Sequence, residues 1–199
     1  MRMIVAALAA SVSLWAAGAA ADPWTSPDGK LRFDLPSGWL VAPQQATNMT
    51  YIVAGSGDKE CDVMARTRAD TASAPPDLMR QYGNSPISQA DWTRVIGMVP
   101  DVFGGDGTYV SSEVNTDGFW PVNLAQFNSA GHAIYASIQL RPGVDLWAFC
   151  QSRAGADDAT TYAALLRSVA LSEDPQLQAE AERLAAQRQA AAQSQTSPR

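Results

Sequence analysis

The chain is poor in the residues that most activities need. Of 199 residues only two are lysine, Lys30 and Lys59, the arginines are scattered, and acidic groups outnumber basic ones 20 to 14. Nucleic acid is held by clustered Lys and Arg, so it is not an expected partner, and the same reason argues against electrostatic docking on anionic lipid. His132 is the single histidine and Cys61 and Cys150 are the two cysteines. One imidazole and two thiols do not make up the three or four ligands of a zinc site. No C-x-x-C and no G-x-S-x-G is present. That removes the usual thiol redox centre and the nucleophile elbow of serine hydrolases. No cofactor and no metal are therefore expected. After the first twenty or so residues no apolar run approaches the roughly 20 residues needed to span a bilayer, so no integral membrane segment is expected in a mature form.

The first residues have an address of their own. Met1-Arg2 carries one positive charge, an apolar stretch runs from Met3 to Leu14-Trp15, and small residues continue through Ala21. These are the parts of a cleavable secretion signal, whose peptidase needs small side chains at Ala19 and Ala21. Residues 1–21 are expected to be removed, leaving Asp22 first; loss of Arg2 takes the formal charge from −6 to −7. An oxidising compartment makes a disulfide the expected state of Cys61 and Cys150, both set in strand-like segments. The expected location is periplasmic or extracellular.

Residues 22–171 show strand patterning interrupted by two helical stretches. Trp24-Thr-Ser and Lys30 to Leu35 flank the turn tripeptide Pro27-Asp28-Gly29, and Leu31, Phe33 and Leu35 alternate with Arg32 and Asp34. That period of two predicts a half-buried hairpin. A short strand at Trp39-Leu-Val precedes strands over 48–54 and 60–68. Pro75-Pro76-Asp77 starts a helix carrying Leu78, Met79 and Tyr82. Ser88 with Asp91 resembles a capping box before Trp92, Val95, Ile96 and Val99. Four strands are predicted over 108–115, 120–128, 132–140 and 144–153, with turns at Asp117-Gly118, Ala130-Gly131 and Pro142-Gly143. A last amphipathic helix, capped by Asp157-Asp158, carries Tyr162, Leu165, Leu166 and Val169. The expected class is α+β, an antiparallel sheet covered by helices. From Ser172 to Arg199 the composition turns to Ala, Gln and Glu, which predicts a solvated helix fraying into a disordered tail.

The run Leu31-Arg-Phe-Asp-Leu-Pro-Ser-Gly-Trp39 resembles the first hairpin of PsbP/DcrB-like domains. Tyr162-Ala-Ala-Leu-Leu-Arg-Ser-Val169 is similar to their last helix, so the resemblance spans Trp24 to Leu171. It implies an α/β/α sandwich and a non-enzymatic accessory, assembly or envelope protein. The chain departs from the family in lacking the lipidated cysteine of the DcrB type and any histidine set, and no family ligand residue carries over.

Three functions are compatible with this inventory. The first is an exported accessory or binding protein that acts by contact with an unidentified protein or small molecule. Phe119 and Trp120 are its candidate contact patch, provided both rings lie exposed beside a cleft. The second is an envelope hydrolase using a dispersed acidic site at Asp58, Glu60 and Asp62, or at Asp101 and Asp106. Solvated surface charge is the competing explanation of both groups. The third is a structural envelope component that associates through its C-terminal helix.

Overall fold

A computed structural model describes residues 21–99, 107–129, 131–154, 157–180, 182–183 and 186. Within them ten strands build two antiparallel sheets. β1 (Asp22–Thr25), β2 (Leu31–Leu35) and the two-residue β10 (Ala170–Leu171) form a small one, ordered β1-β2-β10. The large sheet contains β3 (Leu40–Gln44), β4 (Met49–Ser56), β5 (Lys59–Thr67), β6 (Thr108–Asn115), β7 (Val122–Ser129), β8 (His132–Arg141) and β9 (Val144–Ser152). Its order is β3-β4-β5-β9-β8-β7-β6. The helices that pack on them are α1 (Pro76–Asn84), α2 (Gln89–Gly97) and α3 (Ala159–Ser168).

Local chemistry accounts for most of these boundaries. In the β1–β2 hairpin Gly29 sits at φ +69°, while Ser26 closes the turn by donating its N–H to the Leu31 carbonyl over 2.8 Å. At Gly55 a Cβ would lie 2.4 Å from the Lys59 carbonyl oxygen, so only glycine fits the mouth of the β4–β5 hairpin. Pro76 lies in the first turn of α1, where the missing N–H costs nothing. Ser88 caps α2, its hydroxyl oxygen accepting the Asp91 N–H at 3.2 Å.

The seven-stranded sheet is covered on both faces, which makes the architecture a sandwich. On one face Cys61, Val63 and Ala65 of β5 and Leu146, Ala148 and Cys150 of β9 pack against Leu31 and Phe33 of the small sheet and against Tyr162, Leu165 and Leu166 of α3. On the other, Met64, Trp147, Phe149, Phe127 and Ile134 pack against Trp92, Val95 and Ile96 of α2. Trp92 is fully buried, its ring edge-on to Phe127 at 5.9 Å. Asn123 of β7 pins the α1–α2 turn, accepting the Ile87 N–H at 2.9 Å and donating to the Gly83 carbonyl at 2.8 Å.

Two features were not expected from the sequence. The first hairpin does not join the main sheet; it forms a separate small sheet, because Leu31 and Phe33 face inward and bury one side of it on the core. The two strand-rich segments, β3–β5 and β6–β9, meet through β5 and β9, paired from Lys59↔Ser152 to Thr67↔Val144. Cys61 and Cys150 face each other on that pair, Cα atoms 4.1 Å apart, joined by a disulfide and inaccessible to solvent.

The disulfide closes a sequence separation of 89 residues. Chain-entropy arguments assign such a loop about 4–5 kcal/mol of stabilisation at room temperature. The double variant Cys61→Ala/Cys150→Ala is expected to lose about 3–5 kcal/mol in urea unfolding, with the native circular dichroism spectrum retained in water. A midpoint unchanged from the wild type would show that the strand pairing alone carries this join.

Candidate functional site

Phe119 and Trp120 lie in the segment leading into β7, and the structure treats the two rings differently. Trp120 is only 4% exposed. Its indole N–H donates to Asp174 Oδ2 at 2.7 Å. Phe119 is half-buried, 5.1 Å from Trp120, with the Arg80 guanidinium 4.6 Å above its ring. A patch of two exposed rings is therefore not what forms. The hydrophobic indole belongs to the interior, and a cation covers the phenyl ring.

Asp174 belongs to the stretch expected to begin a solvated tail, yet it is buried. Its Oδ1 accepts the N–H groups of Gln176 and Leu177, both at 3.1 Å, and so caps the helical residues 175–180. Its Oδ2 accepts from Arg141 Nη1 as well as from Trp120. Arg141 ends β8 at 4% exposure, with its Nε 2.7 Å from Gln139 Oε1 and its guanidinium carbon 5.4 Å from the Trp120 ring centre. Burial lowers the Arg141 pKa to about 10; Asp174 opposes that fall, and the nearby Arg32 charge adds to it. The side chain remains a cation at neutral pH. Trp120, Gln139, Arg141 and Asp174 thus form one hydrogen-bonded, preorganised wall. It borders a cleft of about 230 Å³ whose other sides carry Arg32, Arg167 and the end of α3.

Two further clefts flank the sandwich. The larger, about 820 Å³, is polar and lies between the β1–β2 turn and strands β4 and β5, lined by Asp28, Lys30, Asn48, Thr50, Thr67 and Glu173 among others. Asp28 acts there as a brace. Its carboxylate accepts from the hydroxyls of Ser26 and Thr50, each at 2.5 Å, and from the Lys30 N–H at 3.1 Å. Partial burial would raise its pKa, but these donors outweigh it and hold the carboxyl below its ordinary range. The third cleft, about 350 Å³, lies between α3 and β6–β8 and is lined in part by Leu124, Tyr135, Ala163 and Leu166.

The acidic group at the β4–β5 turn is not a solvated cluster. Asp62 is 3% exposed because strand alternation sends it to the same covered face as Met64. The Tyr51 hydroxyl donates to it at 2.5 Å. Burial pushes the Asp62 pKa up to about 6; Tyr51 opposes the rise and Glu60 adds repulsion. Glu60 is paired with Arg153 at 2.5 Å. Neither Asp58, Glu60 nor Asp62 lines any of the three clefts. Asp101 and Asp106 lie outside the described residues. His132 opens β8, half-buried after Gly131 at φ +86°. Among the described residues no group of three or more His, Cys, Asp or Glu is placed to hold a metal ion, and no helix is long and apolar enough to cross a membrane.

No protein-family model matches the sequence, and no curated protein sequence does. Structural similarity is clear all the same. The solution structure of a cyanobacterial PsbP (CyanoP) from Synechocystis sp. PCC 6803 superposes with a TM-score of 0.53 at 14% identity, covering 82% of this chain and 98% of that one. The fold is PsbP-like. A Bacteroides thetaiotaomicron protein gives a TM-score of 0.44 at 9% identity over 77% of this chain and 49% of its own length, so the chain spans about half of that protein. In this PsbP-like frame the residues that sequence reasoning passed over are Arg32, Gln139, Arg141 and Asp174. The Asp174-Pro175 pair had the form of an N-cap before a first-turn proline, but the shift to Ala and Gln at Ser172 hid it.

These geometries have measurable consequences. Asp174→Ala leaves Arg141 buried without its carboxylate and is expected to cost about 3–5 kcal/mol in chemical unfolding. Asp174→Asn keeps the cap and is expected to cost less. Asp62 has a folded pKa above its unfolded value near 3.8, so it binds its proton more tightly when folded. Its contribution to stability is fully present below about pH 4 and is lost as pH rises through about 6, amounting to about 2–3 kcal/mol. Comparing wild type with Asp62→Asn between pH 4 and 7 isolates this group, and the difference between the two is expected to change across that window.

Proposed function

We propose that the chain is an exported accessory protein, periplasmic in location, that acts by binding rather than by catalysis. The observation that carries the reading is the wall of Trp120, Gln139, Arg141 and Asp174. Its polar groups hold one another in place beside a cleft, as recognition requires, and no nucleophile is set against a base there. The PsbP-like fold supports an accessory role by analogy. The buried Cys61–Cys150 disulfide supports passage into an oxidising compartment. The position of β1 agrees with a cut after Ala21. Its pairing begins at Asp22↔Leu35, so removal of residues 1–21 leaves the strand whole.

Fractionation of cells expressing the full chain tests the address. The protein is expected in the periplasmic fraction with Asp22 as its first residue and no thiol reactive before reduction. Pull-down from an envelope extract tests the action, and a partner or ligand is expected to be retained reproducibly. An uncleaved, cytosolic protein with free thiols, or repeated failure to retain anything, overturns the reading.

A further inference from the structure

The charge around the Trp120 cleft is unusual for this chain. The whole sequence is acidic, with 20 carboxylates to 14 basic groups, yet three of the side chains lining this cleft are arginines and one is an aspartate. Asp174 is already engaged by Arg141, Trp120 and its own helix cap. It forms its ion pair with Arg141 and none with Arg32 or Arg167. Arg32, on the outward side of β2, has no ion-pair partner among the described residues and stands near enough to Arg141 to disfavour that cation electrostatically. Arg167, in the last turn of α3, reaches Glu113 at 3.1 Å in an exposed pair of the kind that contributes little and rearranges readily. Arg141 donates three of its five N–H groups to Gln139 and Asp174, and two are left over. The final carbonyls of α3 add about half a negative charge, which is less than the excess of the guanidinium groups.

Cations gathered in a recess with low-dielectric walls focus a positive potential, and guanidinium forks match the geometry of carboxylate and phosphate oxygens. We propose that this cleft binds a small organic oxyanion, its carboxylate or phosphate held by Arg32, Arg141 and Arg167 and its apolar part lying against Leu171 and Leu177. The volume of about 230 Å³ falls just below the usual range for drug-sized ligands, which fits a small molecule and not a polymer. The inference rests on the binding role argued above and names the chemistry of the ligand.

Calorimetric titration of the mature protein at low ionic strength, in a buffer free of other oxyanions, tests it with two probes, benzoate and inorganic phosphate. Saturable binding of at least one is expected, and which one binds tells carboxylate from phosphate recognition. Arg32→Gln and Arg167→Gln, both at exposed positions, are each expected to weaken binding about tenfold without lowering the thermal unfolding midpoint. Glu113→Gln releases Arg167 and is expected to bind as tightly or more tightly, and added sodium chloride is expected to weaken binding progressively. Equal affinity in the wild type and both arginine variants overturns the site. Failure of both probes while an envelope partner is still captured removes the oxyanion site alone; failure of both probes together with loss of partner capture removes the binding role as well.

Discussion

The pairing of β5 with β9 is the join on which the architecture depends. The chain builds two antiparallel meanders from segments far apart in sequence, β3–β5 and β6–β9, and the large sheet exists only because these strands meet. A pairing between distant segments pays its loop-closure entropy before any contact rewards it. The structure concentrates cross-links there accordingly. The disulfide sits within the pair, Glu60–Arg153 and Lys59–Asp158 close one end, and Arg68–Asp145 closes the other at 2.5 Å. Backbone bonds from Arg68 to the Gly143 carbonyl and from Arg153 to the Asp58 carbonyl, both 2.8 Å, extend the ladder past its ends. Tyr162 anchors α3 to the same region by sharing a hydrogen bond with Ser152 at 2.6 Å.

Once the large sheet forms, both of its faces must be covered, and this sets the fate of the polar residues along its strands. Asp62, Gln139 and Arg141 alternate with apolar neighbours, a pattern that for a one-sided sheet would send them to water. Here helices lie on one face and a second sheet with α3 on the other, so each of them is buried and must find a partner. Asp62 finds Tyr51. Arg141 and Gln139 find each other and Asp174. The buried polar network beside the cleft is thus a consequence of the sandwich, and its rigidity comes from the bonds that satisfy it.

Asp174 shows how one side chain can connect the domain to the Ala/Gln-rich segment after it. Its two oxygens serve different neighbours: one caps the helical residues 175–180, and the other binds Arg141 and Trp120. The start of that segment is therefore tied into the core. The cleft wall and the direction in which the chain departs are set by the same carboxylate.

Much was legible from local pattern. The β1–β2 turn, the proline start of α1, the Ser88 cap, the four strands of the second meander and α3 are each decided within a few residues, where turn chemistry and apolar period act directly. The oxidised pairing of Cys61 with Cys150 followed from their number together with the expected export. Relations between distant segments lay beyond reach: that β5 pairs with β9, that the first hairpin stands apart with β10, that Trp120 turns inward, and that Arg32, Arg141 and Arg167 converge on one recess. By itself the sequence determined the elements and the chemical inventory, because helix caps, turns and periodicity are short-range physics. Tertiary structure decided which polar groups were buried and which charges met, because burial and electrostatic proximity depend on packing partners that lie tens of residues away.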